Sequence, residues 1–244
     1  MSEPLDLLFL GSGNAFAAGR YWNSFLLNDR YLFEPSPVAL PHLKRCDIAL
    51  EEIEAVFISH FHADHFFGLP FLLLEYSELT TRSKDLTIIG PPGVEERLAT
   101  VIKAGFPHLL DHKKSYRERY IELRDGFEGE VAGLKFRARS VAHVDGMDCY
   151  GYRVQAGERT MAYSGDTTLC DSLVDLAEGA DVFVVECSCW DDSCGPHLNP
   201  NDVRELRRRL GPKPKFVLTH LAAGERDLGI ENVLVAEDLA RFHL

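Results

Sequence analysis

Residues Phe57 to Leu69 read FISHFHADHFFGL, with His60, His62, Asp64 and His65 placed within six positions directly after an apolar run. A lone histidine at the end of a strand is ordinarily a packed or surface residue. H-x-H-x-D-H is too dense for that reading. His60 and His62 are two apart, so on a strand end or tight loop both rings can face one point. Asp64 and His65 belong to the following turn, which opens a helix at Phe66, and can face a second point nearby. Imidazole and carboxylate suit Zn²⁺, and Fe²⁺ or Mn²⁺ with less preference.

Working outward from that stretch, three more apolar segments finish on a ligand type. AVFIS runs into His60, FRARSVA into His143, TMAYSG into Asp166 and KFVLT into His220. Strand ends on one rim of a sheet form a rigid platform for a site. The candidates divide into two incomplete shells. His60, His62 and His143 would hold one ion, Asp64, His65 and His220 a second, and Asp166 would bridge them. Two ions about 3.5–4 Å apart lower the pKa of a shared water and stabilise attacking and leaving oxygens. His42, His108, His112 and His243 have no such context and stay unassigned.

The rest of the chain supplies the frame. Leu5–Leu10 is a short apolar strand, and Ser24–Phe33 reads as a hairpin turning at Asn28–Asp29. Ala55–Ser59 is a buried strand, Phe66–Leu79 is apolar at helical spacing, and Leu86–Ile89 is a strand. Pro91-Pro92-Gly93 opens a helix to about Lys103. Strands are predicted at Tyr120–Leu123, Val131–Val141, Cys149–Gln155, Thr160–Ser164, Val182–Val185 and Phe216–Thr219. Helices are predicted at Leu169–Glu178, Asn201–Leu210 and from Glu231 onward. This alternation implies an α/β fold of mixed sheets covered by helices. AVFISH and FVLTH resemble each other, a trace of internal duplication.

The 244 residues suit one domain, 1–244, with a core large enough to need no disulfides. With 26 basic and 38 acidic residues the net charge is −12, which disfavours nucleic-acid binding outside a focused basic patch. The basic runs Lys113–Arg119 and Arg204–Arg209 read as solvated helix faces. No segment has the apolarity of a membrane span, and MSEPLDLLFLGSG carries no basic leader. Six cysteines in such a chain imply reduced thiols and a cytoplasmic location. Cys187, Cys189 and Cys194 cluster, with no evident fourth ligand for a separate metal site.

FLGSGNAF, FISHFHADHFFGLPF, VAH, YSGDT and FVLTHL, in that order, resemble the metallo-β-lactamase superfamily over nearly the whole chain. The resemblance implies a four-layer αβ/βα sandwich, two mixed β-sheets covered by helices, with a dinuclear site, two Zn²⁺, at one edge. Within that superfamily the chain looks most similar to the ribonuclease Z and cyclic-phosphodiesterase-like branch. That branch carries a Glu and a His between the bridging aspartate and the last ligand. Glu186 and His197, in ECSCWDDSCGPHLNPNDV, match by order. A carboxylate beside an imidazole raises its pKa and fixes its tautomer, as a proton donor to a leaving oxygen requires. The chain departs from ribonuclease Z at three places. Leu198-Asn199 stands where Ser-Thr is usual, Glu34-Pro35-Ser36 replaces an Asp-Cys-Gly turn, and the long tRNA-gripping arm has no evident equivalent.

The expected function is a dinuclear metal-dependent hydrolase of a nucleotide or small phosphodiester. A metal-bridging hydroxide would attack phosphorus, oriented by Asp64, with Glu186 and His197 donating the proton. The alternatives are another ester class (lactone, thioester, sulfate ester or β-lactam) and tRNA 3′-end endoribonuclease activity. A redox di-iron protein of this superfamily would carry Glu in place of His62 and a flavin domain. Phe66, Phe67, Leu69, Phe71, Leu72, Leu73 and Leu74 exceed one core-facing stripe, which predicts a homodimer.

Overall fold

The computed structural model describes residues 5–191, 194–224 and 228–244. Two seven-stranded sheets face each other. The first has the order β14-β1-β2-β3-β4-β5-β6. Its strands are β1 (Asp6–Gly11), β2 (Ser24–Leu27), β3 (Tyr31–Phe33), β4 (Ala55–Phe57), β5 (Leu86–Gly90), β6 (Glu118–Glu122) and β14 (Arg241–His243). The second has the order β13-β12-β11-β10-β9-β8-β7. It comprises β7 (Phe127–Val131), β8 (Leu134–Ser140), β9 (Tyr150–Ala156), β10 (Arg159–Tyr163), β11 (Val182–Glu186), β12 (Lys215–Thr219) and β13 (Val233–Val235).

Each sheet is half antiparallel and half parallel, with β3 to β6 parallel in one and β10 to β13 parallel in the other. The two look-alike segments, at β4 and β12, both lie in the parallel halves. The burial follows the sequence. β5 and β11, covered on both faces, are buried throughout and apolar but for Thr87 and Glu186, whereas β8 alternates buried and more exposed positions along LKFRARS.

Aromatic residues fill the space between the sheets. Phe25, Phe33 and Phe57 stack in turn at 4.7 and 4.6 Å, edge-on to Tyr152 and Tyr163. The outer face of the first sheet is covered by α1 (Ala39–Arg45), α2 (Ala63–Phe66), α3 (Leu69–Glu78) and α4 (Val94–Gly105). That of the second is covered by α5 (Asp171–Ala177) and α6 (Pro200–Leu210). The molecule is therefore the four-layer sandwich of the metallo-β-lactamase type.

Several expectations need correction. The predicted terminal helix from Glu231 is two short strands. β13 extends the edge at β12, and β14 pairs antiparallel with β1. Both sheet edges offered unpaired backbone groups, and strand pairing satisfies them where a helix would not. The predicted strand Val131–Val141 is β8, which starts only at Leu134 because the chain reverses at Ala132 and Gly133, both with positive φ, from β7, a strand that the sequence reading missed. The helix expected over Phe66–Leu79 is broken at Gly68, whose N–H donates to Pro35 O at 2.8 Å. A Cβ there would lie 1.9 Å from Ser36 O, so only glycine permits the approach.

The cysteines are not all reduced: Cys189 and Cys194 form a disulfide, while Cys46, Cys149, Cys170 and Cys187 are free. Their approach across a short loop beside the site overrides the compositional argument. The apolar surplus read as a dimer face is mostly this chain's own core. Phe66, Leu69, Leu72 and Leu73 are buried, leaving Phe67 and Phe71 half exposed. Among the described residues no helix is long and apolar enough to cross a membrane.

Candidate active site

The ligand candidates sit just beyond the carboxyl ends of β4, β8, β10 and β12. His60 follows β4 in the first sheet; His143, Asp166 and His220 follow β8, β10 and β12 in the second. His62 immediately precedes α2, and Asp64 and His65 lie within it. The loops are held tightly. Gly165 has φ +59, with Tyr150 O 2.5 Å from where a Cβ would be, and delivers Asp166. His220 itself has φ +54, a conformation that costs energy for a non-glycine residue and collects at functional sites.

Two of the groups that could hold an ion are His60, His62, His143 and Asp166, and Asp64, His65 and His220; Glu34 also converges with His60 and His65, and His197 with Asp166 and His220. His60 Nε2 lies 2.9 Å from His62 Nδ1, which is 3.3 Å from His143 Nε2. In the second group His65 Nε2 lies 3.3 Å from His220 Nε2. Asp166 Oδ2 stands between the groups, 3.2 Å from His65 Nε2, 3.3 Å from His220 Nε2 and 3.8 Å from His60 Nε2. Its Oδ1 is buried without a hydrogen-bond partner among the described residues.

This donor set fits metal ions. Nitrogens about 2.0–2.1 Å from a tetrahedral ion lie about 3.3 Å apart, close to the spacing found. The outer nitrogens also fix which lone pairs point inward. His65 Nδ1 faces Glu34 Oε2 at 3.1 Å, and His143 Nδ1 faces Pro196 O at 2.9 Å. Carboxylate and carbonyl are acceptors, so with a metal in place Nδ1 would carry the proton and Nε2 would be bare in both rings. Ser188 Oγ donates to Glu186 Oε2 at 2.7 Å and so accepts from His220 Nδ1 at 2.6 Å, which leaves His220 Nε2 bare as well.

The charges support the same picture. Burial pushes His60 well below the ordinary histidine range. Burial acts on His65 the same way, but the carboxylates of Asp166, Asp64 and Glu34 outweigh it and push that ring well above. Burial would raise Asp166, yet His220, His65 and His60 hold it well below the usual carboxylate range. Asp64 is held down by His220 and His65 against its own burial.

The Glu186–His197 pair is formed: Glu186 Oε1 and Oε2 lie 3.0 and 3.2 Å from His197 Nδ1. Burial lowers His197, but the Glu186 contact outweighs it and raises the ring above its ordinary value. His197 Nδ1 is 3.9 Å from Asp166 Oδ2, so the pair adjoins the metal-ligand candidates. The unassigned histidines stay outside; buried His42 contacts Leu10 O through Nδ1.

Two residues escaped the sequence reading. Ser188 joins Glu186, His197 and His220 in one hydrogen-bonded group, and a serine in a cysteine-rich loop carries no signal of that. Fully buried Glu34, in a left-handed conformation, accepts from Ser59 N–H at 3.0 Å and holds His65. The Glu34-Pro35-Ser36 turn was the available signal, since its carboxylate faces the motif across the approach that Gly68 allows.

A cavity of about 520 Å³ opens over the cluster, walled by Asn14, Ala15 and Phe16 on one side and by Val144, Pro196 and the Cys189–Cys194 disulfide on others. No lysine or arginine is among the described residues that line it. The basic runs are engaged elsewhere: Lys114 with Glu118, Arg119 with Asp85, Arg208 with Glu205 and Arg209 with Asp171.

Comparison with known proteins follows the same lines. The profile of the beta-lactamase superfamily domain matches residues 29–221. Ribonuclease Z of Methanosarcina mazei is 26% identical over 303 aligned positions, covering 96% of each chain. That alignment is longer than the 244 residues here, so the relative carries segments with no counterpart. The human short-form tRNase Z superposes with TM-score 0.79 at 22% identity, over 97% of this chain and 98% of that one. A diphosphatase from the PhnP family gives 0.75 at 18%, over 98% of each. At those identities the two structures speak for the fold. With its profile matched over most of its length and the four-layer sandwich in place, the chain belongs to the beta-lactamase superfamily, among its metallo-hydrolases.

Proposed function

We propose that this protein is a phosphodiesterase acting on a nucleotide or another small phosphodiester. The observation that carries the reading is the Glu186–His197 pair beside two groups of ligand candidates that share Asp166. In this reading His60, His62 and His143 hold one ion, Asp64, His65 and His220 the other, and Asp166 both. Two zinc ions, bound there, would supply a water of lowered pKa and stabilise charge on the phosphoryl oxygens. Asp64, ionised and partly solvent-facing, orients the attacking water. His197, kept protonated by Glu186, gives a proton to the leaving oxygen, and Ser188 and Thr167 hold Glu186 in place through its two oxygens. A single domain over 1–244 and a homodimer contacting through Phe67 and Phe71 belong to the same reading.

A tRNA 3′-end endoribonuclease is the second reading, favoured by the curated relatives named ribonuclease Z. The cavity without lysine or arginine supports the small substrate over it. The test is a panel of bis-(p-nitrophenyl) phosphate, nucleoside cyclic phosphates, a lactone, a sulfate ester, a β-lactam and a precursor tRNA, with metal content measured on the same sample. Turnover of the phosphodiesters above all others is expected. Cleavage of precursor tRNA with none of the small diesters would reverse the choice.

A further inference from the structure

We propose that Phe16 is a stacking platform for the base of a nucleotide substrate, which makes it a specificity residue of the active site. This rests on the phosphodiesterase reading. Phe16 is 95% exposed, the most exposed large apolar residue described, and it lines the cavity over the metal-ligand candidates. Its backbone is nonetheless fixed. Phe16 N–H donates to Asn14 Oδ1 at 2.9 Å, and Asn14 N–H donates to Leu221 O at 3.0 Å. Asn14 Nδ2 donates to Ser188 O at 2.9 Å. Ser188 is the residue that joins Glu186, His197 and His220, so the turn carrying Phe16 is braced against the proton-donating wall. The ring is thus uncovered, on a backbone that is braced against the candidate site.

What it can receive follows from the wall. With no lysine or arginine there and a net charge of −12, the wall offers a substrate little cationic attraction beyond the metal-ligand cluster and His197. Affinity beyond the phosphate must come from uncharged contact, and Phe16, Ala15, Val144 and Pro196 provide it. In a nucleotide ester the flat, uncharged group is the base. Stacking on an aromatic ring suits any base, because each has a π-face.

The test separates this inference from the one beneath it. Binding of adenosine 5′-monophosphate and of ribose 5-phosphate to the metal-loaded protein is measured by calorimetry. The two share the sugar and phosphate and differ in the base. Wild type is expected to prefer the nucleotide by about tenfold, Phe16→Ala to erase the preference, and Phe16→Trp to restore it. Hydrolysis of adenosine 2′,3′-cyclic phosphate is followed in parallel, and there KM should rise about tenfold in Phe16→Ala with kcat little changed. Preference for the nucleotide without hydrolysis keeps the platform and removes the phosphodiesterase reading. Hydrolysis with equal binding of the two probes, or a preference that survives in Phe16→Ala, overturns the platform. So does loss of a dimer in Phe16→Ala by light scattering, which would place the ring against a second copy.

Discussion

His197 and His220 both touch Ser188 and lie with ring centroids 5.3 Å apart, yet they are given different work. The distinction lies in what their nitrogens face. His220 turns Nε2 to Asp166 and His65, whereas His197 uses Nδ1 to bind Glu186. His197→Ala is therefore expected to keep both metal equivalents and to lower kcat by about 10²–10⁴-fold on a poor leaving group. A nitrophenyl ester, whose leaving group needs little protonation, should lose far less. Equal losses on both, or loss of an ion by elemental analysis, would remove the proton-donor role. Asp166 is placed differently, with one oxygen among nitrogens of both groups and the other unpartnered. Asp166→Ala should drop the bound metal from about two equivalents toward one, and unchanged stoichiometry would take it out of the bridge.

At the scale of the element, the turn at Glu34–Ser36 and the break between α2 and α3 form one device. Gly68 lets the helix start press onto that turn, and the contact brings His65 to Glu34. Gly68→Ala would drive a methyl into a backbone carbonyl that has little room to retreat, so a loss of about 3 kcal/mol or more is expected. For a chain of this size that is a fall in melting temperature of about 6–12 °C, read by calorimetry. Of this coupling only the unusual Glu34-Pro35-Ser36 turn was legible in the sequence, because glycine between two apolar runs reads only as an interruption. The convergence of the ligand candidates was legible, since H-x-H-x-D-H is dense and β4, β10 and β12 are largely apolar runs that lead into a polar side chain. The last fourteen residues misled for the opposite reason. Their apolar positions suit a helix, and only the open edges at β1 and β12, tertiary facts, decide for strands. The disulfide was hidden in the same way, since Cys187, Cys189 and Cys194 offered several pairings and composition pointed to none.

Across the whole molecule, the ligand candidates come from both sheets: His60, His62, Asp64 and His65 follow β4 of the first, and His143, Asp166 and His220 end strands of the second. Each proposed ion would draw nitrogens or oxygens from the two sides at once. A ligand that binds the folded chain and not the unfolded one stabilises it by about 2.7 kcal/mol at one hundred times its dissociation constant. Chelation should accordingly lower the melting temperature by about 5–11 °C, and zinc added back should restore it. A melting curve indifferent to chelator would mean that the two sides close without help. The supply of metal then governs more than turnover. In a cell short of zinc the chain would part first along its catalytic edge, become a substrate for proteases, and be cleared, so that its abundance would report the metal it needs to work.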